Sequence, residues 1–169
     1  MRARGLMATF FSLGAAFAFW TPAMSADLPQ SGTIRSHGTL KFNNQIVDVG
    51  EKHTMGAGTG WGVTFNDAGS GPLHMGAWMC TITFQNVSSP QQDAGACEFG
   101  DAGGADKIYI VWAGTSTETG AQGTGTIIGG IGKYTGVQGK ITYNCKPVDP
   151  TQGLLACTQQ FDYQLTATK

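Results

Sequence analysis

Charged residues are scarce in this chain of 169 residues, at 12% of the sequence, and they are scattered along it. Lysine and arginine number 10 against 11 aspartate and glutamate, so no basic surface for nucleic acid or anionic lipid is expected. No convincing helical pattern follows residue 26. We therefore expect an all-β domain without a nucleic-acid partner, and a neutral or apolar partner suits its charge balance best.

The first 26 residues have the three parts of a secretory signal peptide. Arg2 and Arg4 form a basic start, residues 6–19 are mostly apolar, and Ala-Met-Ser-Ala at 23–26 offers small residues for cleavage. The apolar stretch is shorter than the ~20 residues of a membrane helix, which favours a cleaved leader over a retained anchor. We predict a signal peptide at 1–26 and an exported domain at 27–169, periplasmic or extracellular, with no membrane span in the mature chain.

Only four cysteines are present, and three pairings of them are conceivable. Cys145 and Cys157 lie on the apolar faces of two adjacent predicted strands, each at the end nearest their connection, so we predict that they pair. This leaves Cys80 to pair with Cys97. The spacings lack the close C-x₂₋₄-C pairs of a structural zinc site. Two disulfides, as in exported proteins, and no metal or other cofactor are expected.

Glycine is abundant, at 26 residues, two of them in the leader. The share in the mature chain is roughly twice the usual ~7%. The absence of a Gly-X-Y repeat and the 6 prolines exclude collagen. Interleaved with β-branched and aromatic residues, the glycines indicate tight turns, bulges and the strand corners that a closed barrel needs.

Alternation of apolar and polar residues with a period of two predicts antiparallel strands. It is clearest in the terminal hairpin, at 137–145 and 157–165. The predicted strands cover residues 31–42, 45–49, 53–65, 72–84, 107–113, 123–128, 137–145 and 157–165. Short strands with glycine-rich punctuation are typical of a sandwich or a closed barrel.

Two segments carry more specific predictions. Residues 107–113 (Lys-Ile-Tyr-Ile-Val-Trp-Ala) are apolar on both faces, so we expect the most buried strand there. Residues 85–106 show no alternation and are expected to form a long loop. Cys97 would pin this loop at its middle, and the loop would cover one mouth of a barrel.

Residues 123–143 read Gly-Thr-Gly-Thr-Ile-Ile-Gly-Gly-Ile-Gly-Lys-Tyr-Thr-Gly-Val-Gln-Gly-Lys-Ile-Thr-Tyr, and residues 101–109 supply an acidic turn followed by a strand. These segments resemble the small secreted bacterial relatives of the allene oxide cyclase and dirigent-type β-barrels. The resemblance covers about 40 residues and implies a single eight-stranded antiparallel closed barrel, often a homo-oligomer, whose apolar interior holds a small organic molecule. Plant members cyclise an unstable epoxide or steer radical coupling. Their catalytic polar residues do not align with this chain, so no catalytic residue is assigned.

Aromatic residues on the predicted strands are the candidate ligand-binding set. They either fill the barrel, as side chains do in small barrels, or line a pocket for one small apolar ligand. The set comprises Trp61, Phe65, Trp78, Phe84, Trp112, Tyr143, Phe161 and Tyr163.

Other constellations are weaker. The segment at 129–133 lacks the glycine spacing and the Ser or Thr of a phosphate-binding loop. No G-x-S-x-G nucleophile elbow is present. Oxygen ligands for calcium are conceivable but lack the expected spacing; they are Asp93, Glu98, Asp101 and Asp106. Soft ligands for copper are also conceivable and also lack the expected spacing; they are His37, His53, His74, Met55, Met75 and Met79.

Three functional hypotheses follow. The first is a non-catalytic binding module for a small hydrophobic molecule. The second is a cofactor-free cyclase or isomerase that acts by confining a reactive apolar guest. The third is a structural barrel with a filled core. A cavity lined only by carbon would favour binding, whereas a buried Asp, Glu, Tyr or His pointing inward would favour chemistry.

Overall fold

The structure, a computed structural model, describes residues 28–87 and 89–166 and contains eight strands. The predicted signal peptide lies outside the described residues. The strands are β1 (Ser31–Gly50), β2 (His53–Asn66), β3 (Gly76–Asn86), β4 (Gln91–Gly100), β5 (Lys107–Thr117), β6 (Gly120–Ile131), β7 (Val137–Asp149) and β8 (Leu154–Leu165). Two short 3₁₀ turns, Gly132–Tyr134 and Pro150–Gln152, lie in the connections.

Each strand pairs antiparallel with the next, and β1 pairs with β8, so the sheet closes into a barrel. The predicted fold class is therefore confirmed. Successive residues alternate between the interior and the outer surface, as in Ile34, Ser36 and their exposed neighbours. Closure leaves every strand with one outward face, and this corrects the prediction for residues 107–113. Ile108 and Ile110 are buried, but Val111 faces outward and is 44% exposed.

The predicted number of strands is right, although two of the predicted segments are wrong. Residues 45–49 are not a separate strand, because β1 runs on through them to Gly50. The predicted loop 85–106 contains β4 instead. Its sequence, Gln-Gln-Asp-Ala-Gly-Ala-Cys-Glu-Phe-Gly, has too few large apolar residues to show alternation. Ladder hydrogen bonds to β3 on one side and β5 on the other make it a strand.

Both predicted disulfides are confirmed, and both lie on the interior of the barrel. Cys80 is directly opposite Cys97 across β3 and β4, and Cys145 is directly opposite Cys157 across β7 and β8. Cys97 therefore joins two neighbouring strands and does not pin a loop. The two disulfides reinforce separate walls of the barrel.

One end of the barrel, here called the closed end, carries the connections 67–75, 101–106 and 132–136. Leu73 and Tyr134 are fully buried there. The Asp101 carboxylate accepts hydrogen bonds from the Tyr134 hydroxyl at 2.7 Å and from the Leu73 backbone N–H at 2.8 Å. It also forms an ion pair with Lys133. Gly132, with φ 64°, makes the turn that brings Lys133 and Tyr134 to Asp101.

Candidate functional site: the interior cavity

The other end, here called the open end, leads into an interior cavity of about 320 Å³. Its lining is mainly apolar, as is usual for small-molecule sites. Four of the predicted ligand-binding residues line this cavity. They are Trp78, Phe84, Trp112 and Tyr143.

Two further predicted residues, Phe161 and Tyr163, are buried beyond the cavity toward the closed end. Phe161 packs edge-to-face on Phe99, with 5.0 Å between ring centroids, and Phe99 stacks on Trp78 at 4.9 Å. This aromatic stack forms the cavity floor. Side chains thus fill the closed half of the interior, and the cavity lies in the open half. Some members of the aromatic set therefore fill the barrel while others line a pocket.

The remaining two predicted residues, Trp61 and Phe65, point outward, which corrects their expected place in the pocket. Trp61 is 64% exposed and Phe65 is 36% exposed. The interior positions of this part of β2 are the small residues between them, including Gly62. A Cβ at Gly62 would clash first with the Thr39 carbonyl oxygen of β1 and would lie 2.7 Å from Nε1 of Trp78, so the β1 backbone and the indole of β3 together leave no room for a side chain there.

Glycine also makes room for the aromatic residues near the open end. A Cβ on Gly95 of β4 would lie 2.9 Å from the Trp112 ring. A Cβ on Gly123 of β6 would lie 2.5 Å from the Tyr143 hydroxyl oxygen. Trp112 and Tyr143 meet edge-to-face with ring centroids 5.6 Å apart. The glycine-rich strands therefore give the cavity its shape as well as its curvature.

A polar group that was not among the predicted ligand-binding residues lies in the half of the cavity nearer the open end. Asp93 is buried, at 6% exposed, and points inward from β4. The Gln91 Nε2 donates hydrogen bonds to Asp93 Oδ1 at 2.7 Å and to Ser116 Oγ at 3.1 Å. Asp93 and Cys97 are an even number of residues apart, so their side chains lie on the same face of a strand. Had β4 been recognised as a strand, the inward-facing Cys97 would have predicted that Asp93 also faces inward.

Tyr143 contributes a hydroxyl to the same region. Burial raises the pKa of this phenol, and the nearby Asp93 carboxylate raises it further. The ordinary value is already about 10, so the hydroxyl is protonated at neutral pH and can donate a hydrogen bond. Asp93 and Tyr143 thus combine a carboxylate with a protonated phenol in one cavity.

Two buried donors in the cavity have no hydrogen-bond partner within the described residues. They are Nε1 of Trp112 and Nε2 of Gln159. Gln159 is 4% exposed and is the deepest residue of β8 to line the cavity, and its Oε1 accepts a 2.9 Å hydrogen bond from Ser36. An unpaired buried donor is costly, so both groups suit a ligand that carries an acceptor.

The residues considered for calcium and phosphate are spread over different places. Asp93 lies in the cavity, Glu98 pairs with Lys107 on the outer face at 3.0 Å, and Asp101 binds Lys133 at the closed end. Asp106 accepts a hydrogen bond from the Lys133 backbone N–H. Lys133 therefore has a structural role. It belongs to the segment 129–133, which was compared with a phosphate-binding loop.

The histidines considered for copper are likewise not gathered into a site. His37 contacts Asp67 at 2.7 Å on the outer surface. Across residues 28–87 and 89–166, no group of three or more His, Cys, Asp or Glu side chains is placed to hold a metal ion. In that same part of the chain, no helix is long and apolar enough to span a membrane.

Comparison with known proteins yields no match for this chain, either among protein-family models or among curated proteins. The cavity itself is therefore the basis for assigning a function.

Proposed function

We propose that this protein is an exported barrel that binds a small, mostly apolar molecule in the open half of its interior. The observation that carries the proposal is the cavity of about 320 Å³, which is lined by aromatic residues and holds two unpartnered buried donors. The aromatic rings supply apolar contact area, and the donors select for a ligand with at least one hydrogen-bond acceptor.

Export is supported by the two disulfides, because such bonds persist in oxidising compartments. The choice between periplasm and cell exterior, and the assembly into a homo-oligomer, stay predictions, as does kinship with the allene oxide cyclase and dirigent-type barrels. The closed eight-stranded architecture is the fold that this resemblance implies.

The proposal is tested by native mass spectrometry of protein purified from its own host under conditions that preserve weak complexes. We expect a retained small molecule that denaturation releases. Protein found only in the free form would count heavily against the proposal.

A matched pair of variants tests the location with a neutral fluorescent probe, N-phenyl-1-naphthylamine. Ala121 lines the cavity, whereas Ala94 is exposed on the outer face of β4. Ala121→Phe should abolish the rise in probe fluorescence, and Ala94→Phe should leave it unchanged. Circular dichroism of both variants establishes that the barrel is intact. Equal probe binding by the two variants would place the ligand outside the barrel.

A second candidate, a cofactor-free cyclase or isomerase, is favoured by the inward-pointing Asp93 and Tyr143. A carboxylate can accept a proton from a confined guest while a protonated phenol donates a hydrogen bond to its oxygen. Incubation with an unstable apolar epoxide tests this candidate. Catalysis would change the enantiomeric composition of the cyclised product relative to the spontaneous reaction, and Asp93→Asn or Tyr143→Phe should each restore the spontaneous composition.

A further inference from the structure

Asp93 is the one acidic side chain that lines the cavity, and no lysine, arginine or histidine among the described residues lines it with Asp93. Neither does any basic side chain in residues 28–87 and 89–166 form an ion pair with Asp93. Among the residues that the structure describes, the one side-chain donor to its carboxylate is the neutral amide of Gln91. A carboxylate removed from water is stabilised far better by a cation than by one neutral amide.

The surroundings of Asp93 are those that attract an organic cation. Phe84 lies directly opposite Asp93 across β3 and β4, and both side chains line the cavity. The Tyr143 phenol is close enough for the Asp93 charge to raise its pKa. Trp112 packs against Tyr143. Aromatic faces attract ammonium groups, most strongly where water is excluded.

The cavity is also asymmetric along its length. Asp93 belongs to the half nearer the open end, because it follows Gln91 at the start of β4, while Phe99 of the same strand forms the floor. The unpartnered donor of Gln159 lies at the deep side. A ligand with its charged group toward the mouth, an apolar body and an acceptor at its far end would satisfy both halves.

We infer that the ligand of this cavity is a hydrophobic amine, bound as its ammonium ion between the Asp93 carboxylate and the aromatic rings of Phe84, Trp112 and Tyr143. This inference rests on the proposed binding function and names its ligand class. A single positive charge and one acceptor on a mostly apolar molecule agree with the mainly apolar lining and its unpaired donors.

The test is isothermal titration of the mature protein with three probes of equal chain length: octylamine, octanol and octanoate. We expect octylamine to bind at least about tenfold more tightly than octanol, because only the ammonium carries a positive charge that pairs with the carboxylate and with the aromatic faces. Octanoate should bind most weakly, because its carboxylate would face Asp93.

Two substitutions assign the preference to Asp93. Asp93→Asn should remove the advantage of octylamine over octanol, and circular dichroism of this variant establishes that the barrel is intact. Glu98→Gln, on the outer face of the same strand, is the matched control and should bind all three probes as the parent protein does.

Octanol binding as tightly as octylamine to the parent protein would overturn the amine inference and leave the binding proposal standing. The same holds if the naphthylamine probe binds and none of the three octyl probes does. Failure of all four probes would overturn both.

Discussion

The Tyr134 hydroxyl donates a 2.7 Å hydrogen bond to Asp101, and this contact joins two of the connections that close one end of the barrel. The same carboxylate accepts from the Leu73 backbone, which belongs to a third connection. One carboxylate thus holds together segments that are far apart in sequence. The interior is filled by side chains near this closed end, and the cavity lies toward the open end.

Replacement of Tyr134 by Phe removes this hydrogen bond while keeping the buried ring. We expect a loss of about 1.5–3 kcal/mol in the free energy of unfolding, the usual contribution of a hydrogen bond to a charged group. Urea denaturation followed by tryptophan fluorescence measures it. Tyr109→Phe, on a partly exposed tyrosine, is the control and should change stability little. A Tyr134→Phe variant as stable as the parent would show that the Asp101 contact does not hold the closed end together.

Stability should fall at alkaline pH because burial raises the pKa of Tyr134 and of Tyr143 in the folded protein. The unfolded chain releases these protons near pH 10, whereas the folded chain retains them. Above pH 10 the unfolded state therefore binds fewer protons, and the free energy of unfolding decreases as pH rises. Well below pH 10 both the folded and the unfolded chain keep these protons, so the two groups add no pH dependence to the free energy of unfolding. Urea midpoints measured between pH 8 and 11 should show this decline, and it should be shallower in Tyr134→Phe and in Tyr143→Phe.

Loss of the disulfide between Cys145 and Cys157, which are 12 residues apart, should cost about 3 kcal/mol. The cross-link restricts the unfolded chain, so the double variant Cys145→Ala, Cys157→Ala should unfold at lower urea. Mass spectrometry of non-reduced peptides should find both predicted links in the parent protein. Two free thiols at 145 and 157 would refute the pairing.

The two tryptophans Trp61 and Trp78 test which side of the sheet is the interior. Trp78→Ala should destabilise the protein by about 3–5 kcal/mol, because the indole stacks on Phe99 in the core. Trp61→Ala should change stability by less than about 0.5 kcal/mol, since Trp61 is exposed. Urea denaturation compares the two, and the reverse order of effects would contradict the assignment of the two faces.

Local sequence predicted the elements whose two faces differ clearly. In the terminal hairpin, large apolar residues alternate with polar ones, so the faces of β7 and β8 and the pairing of Cys145 with Cys157 followed from the pattern. In β2 the alternation was between glycine and aromatic residues, and hydrophobicity alone placed Trp61 and Phe65 inside. The structure reverses this, because the β1 backbone at Thr39 and the Trp78 indole of β3 occupy the interior space beside Gly62.

The sequence by itself determined the all-β character, the positions of most strands and the pairing of Cys145 with Cys157, since each depends on patterns within a strand or a hairpin. The pairing of Cys80 with Cys97 followed by elimination. Tertiary structure alone decided that β4 is a strand, because its pairing comes from neighbours on both sides. It also decided that Asp93 faces an aromatic cavity. Barrel closure fixes which face of each strand lies inside and how much of the interior its side chains fill, and neither property belongs to any single segment.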